Sequence, residues 1–251
     1  MTNTYKNRFL LGFGTGYTIT EKDLFEKIEF IKSTDCPIIE LSLLSTNIYS
    51  KIKKLNKLKS ALSNFESVSI HAPSIEFRYD NSKRSKDLLK RLNDISQVVN
   101  PTILVVHPDV IDNPLILSNL KWPIGIENMD WRKKTGRFPK ELIPFFKQLP
   151  HAKMVLDLNH VFTHDPAMNL SKKLWRNFKK RIKHIHLSGY VGEKNIHVPF
   201  FMSNCDIIIK SLPTINLPMI LEIGIHKISL EDMKREYQYV LSRLYSYQNK
   251  F

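Results

Sequence analysis

The chain of 251 residues alternates short apolar runs with longer segments of mostly polar residues, eight times over. Each run has the length of a buried strand, and most of the intervals between runs are long enough for a helix. Consecutive parallel strands need such a crossover, so the alternation predicts a parallel sheet with helices packed on it. The predicted strands lie near residues 8–13, 37–42, 67–72, 102–107, 123–127, 153–157, 182–187 and 218–223.

Three of the intervening segments carry apolar side chains at the spacing of a helix with one buried face. Ser229, followed by two acids, predicts the start of the last helix, because acids favour the first turn. Prolines interrupt the segments 160–180 and 197–215, so we expect these units to be mostly loop. The apolar stripes are Leu24, Ile28 and Ile31; Leu88, Leu92, Ile95 and Val99; and Leu230, Met233, Tyr237, Leu241 and Leu244.

The first strand distinguishes two folds that are built from strand–helix alternation. An open doubly wound sheet carries a phosphate loop spaced G-x-G-x-x-G after this strand. Here the segment reads G-F-G-T-G, which lacks that spacing, and we interpret Gly12, Gly14 and Gly16 as a tight turn. The sequence therefore predicts fold class α/β, with a single (β/α)8 TIM-barrel domain over residues 1–251.

Composition narrows the class of protein. No run of eighteen apolar residues occurs, so we expect no membrane span. Cys36 and Cys205 do not have the spacing of a metal site, and we interpret them as buried thiols in a reducing compartment. A cytoplasmic location is the expectation that follows.

The charge balance is strongly basic, with 38 Lys and Arg against 24 Asp and Glu. Such a surface favours polyanions, so the expected partner is nucleic acid or a phosphorylated small molecule. The alternative is that lysine is simply frequent on solvated helix faces, as in S-K-I-K-K-L-N-K-L-K-S.

Acidic and histidine side chains fall at the ends of six predicted strands. In a closed barrel these ends meet at one rim, where enzymes of this fold place their chemistry. Several imidazoles and carboxylates at one point are typical of a divalent-metal site. The strand-end residues are His71, His107, Glu127, Asp157, His186 and Glu222, with His160 and His197 in the loops that follow two of the strands.

The strands that carry these groups are otherwise apolar. A buried carboxylate without a partner is costly to keep ionised, so Glu127 and Glu222 each require a metal or, alternatively, a salt bridge to Lys or Arg. In K-H-I-H-L-S, His184 and His186 point the same way because side chains alternate along a strand. We predict that His186, nearer the strand end, is a ligand, and that His184 is hydrogen-bonded one layer deeper.

This pattern resembles the xylose-isomerase-like barrels, which include the endonuclease IV nucleases and the sugar isomerases and epimerases. The resemblance spans essentially the whole chain. In the isomerase and epimerase branch it implies one ion, held by Glu, Asp, His and Glu from strands five to eight. The matching positions are Glu127, Asp157, His186 and Glu222.

In the endonuclease IV branch, the resemblance implies the same quartet together with further histidines, a D-x-x-H motif and a D-x-H motif. These residues together would hold three zinc ions. Here the last motif reads Asn195-Ile196-His197, and the glycine-containing stretch that follows it in the nucleases is absent. The resemblance implies one to three divalent ions, two being favoured, with zinc expected and manganese as the alternative. Glu127 would be shared: one ion would take His71 and His107, the second Asp157, His186 and Glu222, and the third His160, Asn195 and His197.

The loop after the fifth strand, M-D-W-R-K-K-T-G-R-F, interleaves cations with an aromatic side chain. This composition suits a nucleic-acid backbone with an unstacked base, and it suits a phosphosugar equally. A solvated loop is the third interpretation. The predicted substrate-binding residues are Trp131, Arg132, Lys133 and Arg137.

Two enzyme functions agree with these features. The first is a metal-dependent phosphodiester hydrolase of the endonuclease IV type, acting at abasic sites in nucleic acid or on a related phosphoester. The alternative is a single-ion isomerase or epimerase of sugars or sugar phosphates, in which Glu127 and Glu222 move protons as base and acid and Glu40 contacts a hydroxyl or forms a salt bridge. The hydrolase uses more of the rim histidines; a non-catalytic metal or sugar sensor is a third hypothesis.

Overall fold

Parallel strands close into a barrel in which each strand pairs with its neighbours in chain order and the last pairs with the first. The computed structural model describes residues 9–16, 21–52, 54–192, 197–224 and 228–248. The predicted TIM-barrel fold is confirmed, and all of the predicted strands are present with bounds shifted by a few residues. The strands are β1 Leu11–Gly14, β2 Ile38–Ser42, β3 Ser67–His71, β4 Leu104–Val106, β5 Ile124–Glu127, β6 Lys153–Asp157, β7 Ile182–Leu187 and β8 Met219–Leu221.

Helices cover the outside of the barrel and bury their apolar stripes against it. Within the described residues, none of them combines the length and the apolarity needed to cross a bilayer. The α-helices are α1 Glu21–Lys32, α2 Thr46–Lys51, α3 Leu55–Leu62, α4 Lys83–Val99, α5 Pro139–Gln148, α6 Leu158–His164, α7 Asn169–Phe178, α8 Asp206–Lys210 and α9 Leu230–Gln248.

Two helix predictions had different outcomes. Ser229 does begin the last helix, because its Oγ accepts the Asp232 backbone N–H at 3.0 Å. The expectation of mostly loop over 160–180 was wrong: α6 and α7 fill this segment, and Pro166 lies in the turn between them. A proline disrupts a helix only when it falls inside one. The segment 197–215 contains only a 3-10 turn and the short α8, as expected.

The glycines after residue 11 were only partly interpreted correctly. Gly16 has φ +62°, a left-handed conformation that glycine adopts without strain, and the residues after it lie outside the described part of the chain. Gly12 and Gly14 instead belong to β1, and a Cβ on Gly12 would lie 1.8 Å from the Ile38 carbonyl oxygen. Gly12 therefore allows β1 and β2 to approach closely.

The interior of the barrel changes from apolar to polar along the strand direction. Ile103, Val105 and Val155 form a small apolar cluster that is separate from the main core. Because side chains two residues apart share a face of the strand, Val155 is followed on the inner face by Asp157. The buried polar residues of the strands include Glu40, Ser69, His71, Glu127, Asp157, His184 and His186.

Candidate metal centre

The strand-end residues predicted as ligands meet at the carboxyl-terminal rim. Asp157 and His186 are register partners on β6 and β7. The described residues include two groups at this rim in which the ligand atoms all lie within 4.8 Å of one another. The first group is His71, His107 and Glu127, and the second is Glu127, Asp157, His186 and Glu222.

Glu127 belongs to both groups and divides its two oxygens between them. Its Oε2 lies 3.3 Å from His71 Nε2 and 3.0 Å from His107 Nε2. Its Oε1 lies 2.8 Å from His186 Nδ1. A carboxylate in this position can bridge two ions, one on each oxygen.

The imidazoles are oriented by hydrogen bonds on their other ring nitrogens. His71 Nδ1 lies 3.2 Å from the carbonyl oxygen of the next residue, and His160 Nδ1 lies 2.8 Å from that of Asn128. Because a carbonyl only accepts, each Nδ1 carries the proton and each Nε2 presents a lone pair. His186 has the opposite arrangement, with Nδ1 at the rim and Nε2 facing Glu40.

The D-x-x-H sequence shapes the start of α6. Asp157 is the N-cap of this helix, and its Oδ1 accepts the His160 backbone N–H at 2.6 Å. The cap leaves Asp157 Oδ2 buried and without a hydrogen bond. That oxygen belongs to the second ligand group, where an ion would satisfy it.

The charges of the centre are consistent with cation binding. Burial raises the pKa of Asp157 to about 7, and the negative charges of Glu127 and Glu222 add to the shift. Burial likewise raises the pKa of Glu222. Burial opposes ionisation of Glu127 too, but neighbouring imidazoles hold its pKa well below its usual range. The crowded acids therefore stabilise positive charge, and the donor set suits a divalent ion such as zinc.

The histidines respond to the same crowding. Burial lowers the pKa of an imidazole, yet the carboxylate of Glu127 raises the pKa of His71 to about 9. Glu222, Glu40 and Glu127 together raise the pKa of His186 well above its usual value. Protons and a divalent ion thus compete for these nitrogens, so metal binding releases protons.

His160 and His197 form a separate pair at the edge of the centre. Their ring centroids are 5.5 Å apart. Asn195, which the resemblance places with them, lies outside the described residues. Asp130 is buried beside the pair, with Oδ2 at 3.9 Å from His160 Nε2, but Arg132 already holds both of its oxygens.

A cavity of about 330 Å³ opens above the ligand groups. Glu222 and His107 are their most exposed members, at 18% and 14% of the side chain, so both groups face this cavity. Both apolar side chains and cations line the cavity. The apolar residues include Leu44, Ile75 and Ile223, and the cations are Arg132 and Lys133.

The two cations of the cavity wall are both ion-paired. Arg132 donates to Asp130 through Nε and Nη2, each at 2.9 Å. Lys133 Nζ lies 2.8 Å from Asp109 Oδ2. These aspartates fix the cations in place and partly neutralise them.

Trp131 and Arg137 lie outside the residues that line the cavity. Arg137 is engaged with Glu141 at the start of α5, at 3.0 Å between Nη2 and Oε1. Trp131 is 41% exposed. Contact of either residue with a substrate stays a prediction.

Sequence reasoning missed two buried residues that support the rim. Asn128 donates from Nδ2 to the Asp157 carbonyl at 2.8 Å and accepts the Asp157 N–H at 2.9 Å, so it joins β5 to β6 above their last backbone pair. Asp130 anchors Arg132 in the next loop. Both follow Glu127 directly in I-E-N-M-D, and their position just after a strand end was the available signal.

The comparisons with known proteins find similarity in structure only. No protein-family model matches the sequence, and no curated protein matches it. A D-tagatose 3-epimerase-like protein is 18% identical over 96% of this chain and 98% of its own, with a TM-score of 0.72. Endonuclease IV from Thermus thermophilus is 14% identical over 94% and 99%, with a TM-score of 0.69.

A third structure is a xylose isomerase domain containing protein from Salmonella typhimurium. It is 12% identical over 94% of this chain and 97% of its own, with a TM-score of 0.65. At such identities the agreement concerns the fold. The chain therefore has the TIM-barrel fold that these three structures share, which is the fold that its strand–helix alternation predicts.

Proposed function

We propose that this protein is a divalent-metal-dependent phosphodiester hydrolase that acts on nucleic acid at abasic sites or on a related phosphoester. One observation carries the proposal: Glu127 presents one oxygen to His71 and His107 and the other to His186. A carboxylate between two ligand groups suits a two-ion centre, whereas a single-ion isomerase would leave His71 and His107 only as substrate contacts.

Zinc or manganese ions bound to these groups would supply Lewis acidity to a phosphate oxygen and to water. His71 and His107 would hold one ion, and Asp157, His186 and Glu222 the other. Glu127 would keep the two at a short distance by contacting both.

Proton transfer falls to a carboxylate that reaches the cavity. Glu222 is the more exposed of the two catalytic candidates, with 18% of its side chain reaching the cavity, so it can contact the attacking water. We infer that Glu222 accepts the proton of the attacking water as the new P–O bond forms. As the bond between phosphorus and the departing oxygen breaks, Glu222 returns this proton to the departing oxygen.

Substrate binding would use the two cations that line the cavity. Arg132 and Lys133 are rigidly held by Asp130 and Asp109, so they can contact phosphate oxygens with little loss of side-chain entropy. The apolar lining residues would accept the sugar of an abasic nucleotide. The basic composition of the chain also favours a polyanionic partner.

His107→Ala tests the two-ion hypothesis. We expect the variant to cut duplex DNA containing an abasic site about 10³-fold more slowly, because several kcal/mol of transition-state stabilisation depend on the ion that it helps to hold. The measurement is the initial rate of strand scission with zinc-loaded protein. His151→Ala is the control, since His151 is exposed and lies away from the rim.

The same assay distinguishes the isomerase hypothesis. That alternative is favoured by the pairing of Arg132 and Lys133 with aspartates, because paired cations attract a phosphate less strongly than unpaired ones. If the wild-type protein leaves abasic DNA intact and epimerises a ketose efficiently, the hydrolase proposal is wrong. A single ion held by Glu127, Asp157, His186 and Glu222 would then be the functional unit.

A further inference from the structure

A second layer of carboxylate and imidazole lies directly beneath the candidate centre. Glu40 extends inward from β2 and is fully buried. His186 Nε2 lies 3.3 Å from each of its two oxygens. Since Nδ1 of the same ring faces Glu127 at 2.8 Å, the imidazole of His186 connects the two layers.

Glu40 is itself held in place from two sides. The Ser69 hydroxyl, on the register partner of Glu40 in β3, donates to Oε2 at 2.8 Å. His184 Nε2 lies 3.3 Å from the same oxygen. Ser69 and His184 are also buried, so this carboxylate has a defined position away from solvent.

The chemistry of these groups fixes the proton on His186. A carboxylate that accepts a hydrogen bond from a metal-ligating histidine accepts it from the ring nitrogen that does not bind the ion. With Nδ1 of His186 on the rim ion, Nε2 is therefore the nitrogen that donates toward Glu40. The ligand atoms of Glu40, His184 and His186 also lie within 4.8 Å of one another, but an ion held there together with the rim ion would require both nitrogens of His186 to lose their protons.

We propose that Glu40 is a positioning residue of the metal centre: it fixes the ring orientation and tautomer of His186 and makes Nδ1 a stronger ligand. A carboxylate behind a ligating histidine acts in this way at many metal sites. The inference rests on the metal centre of the proposed function. It extends that centre to a residue that contacts neither the cavity nor the rim ligand atoms of Asp157 and Glu222.

Glu40→Gln tests the role with little change in volume. We expect the zinc affinity of the variant to fall about 10–100-fold, because the neutral amide no longer strengthens His186 as a ligand. The measurement is competition with a chromophoric zinc chelator. Glu236→Gln is the matched control, since Glu236 is fully buried and bonds the backbone N–H of Phe200 and Phe201 instead of a histidine.

A spectroscopic readout separates positioning from a general loss of stability. In zinc-loaded wild-type protein labelled with ¹⁵N-histidine, the Nε2 proton of His186 should resonate far downfield because its acceptor is charged. It should move upfield in Glu40→Gln and stay unchanged in Glu236→Gln. If Glu40→Gln does not fold, Ser69→Ala replaces it, with a several-fold loss of affinity and the same direction of shift.

The outcomes distinguish the role proposed for Glu40 from the metal centre on which it depends. If the wild-type protein binds no zinc, the metal centre is wrong and the role of Glu40 is wrong with it. If wild-type and Glu40→Gln proteins bind zinc equally well, only the role of Glu40 is overturned. Loss of one whole ion from Glu40→Gln, with unchanged affinity for the rest, would also overturn it, because Glu40 would then be a ligand.

Discussion

Glu127→Ala should abolish phosphodiester hydrolysis and remove the metal ions from both rim ligand groups. The carboxylate lies within 3.3 Å of three imidazoles, and no other side chain among the described residues belongs to both rim ligand groups. We expect the rate of abasic-site cutting to fall at least about 10³-fold, since several kcal/mol of transition-state stabilisation depend on the ions. The zinc content of the dialysed protein, measured by elemental analysis, should fall with it.

The control for Glu127→Ala addresses folding. Truncation of a buried carboxylate leaves its imidazole partners unpaired, which destabilises the fold. Glu127→Gln preserves the volume and removes the charge, so circular dichroism should show a folded protein that is still inactive. If the folded Gln variant keeps activity within tenfold of wild type, Glu127 does not bridge ions that catalysis needs.

Glu222→Gln should be nearly as severe, with kcat lower by about 10²–10⁴-fold. The amide cannot accept a proton at neutral pH, and it is a weaker ligand than the carboxylate. Because 18% of the Glu222 side chain is exposed at the cavity, the fold should tolerate the change. The expected result is therefore loss of activity with little change in melting temperature.

This second prediction applies to the hydrolase and to the isomerase alike. In both, the Glu222 carboxylate takes or gives the proton that moves. Full activity of Glu222→Gln toward abasic DNA and toward ketoses would show that the reaction takes place elsewhere in the protein. Lys153→Gln, at the opposite end of β6, is a control that should leave both rates unchanged.

The residues at the rim could be predicted from the sequence because, in a closed barrel of parallel strands, the ends of all the strands meet at one rim. Once β5 to β8 are parallel neighbours, the residues that end them are forced to the same level. Asp157 and His186 show this directly, since they are register partners although a whole helical crossover separates them in the chain. A strand-end carboxylate in an apolar run was therefore sufficient to predict which side chains meet at the rim.

Pairings between loops could not be predicted in the same way. The sequence indicated Arg132 and Lys133 as substrate contacts or as part of a solvated loop, and it gave no sign that the structure pairs them with Asp130 and Asp109. Loop geometry decides such pairs, and no periodicity in the chain reports it. Their contact with a phosphate stays a prediction.

The residues in the layer below the rim could be predicted only in part from the sequence. The alternation in K-H-I-H-L-S correctly placed His184 one layer beneath His186. For Glu40, the sequence left a substrate hydroxyl and a salt bridge as alternatives. The structure shows it buried against His184 and His186, because the register of β2 in the closed barrel sets its depth.

The number and position of ions in zinc-grown crystals, located by anomalous scattering, test the central claim most directly. We predict two ions, one on each oxygen of Glu127, separated by about 3.5–4 Å as in other two-metal sites. One should contact His71 and His107, and the other Asp157, His186 and Glu222. Less than one ion per chain, or ions bound away from Glu127, would contradict the account.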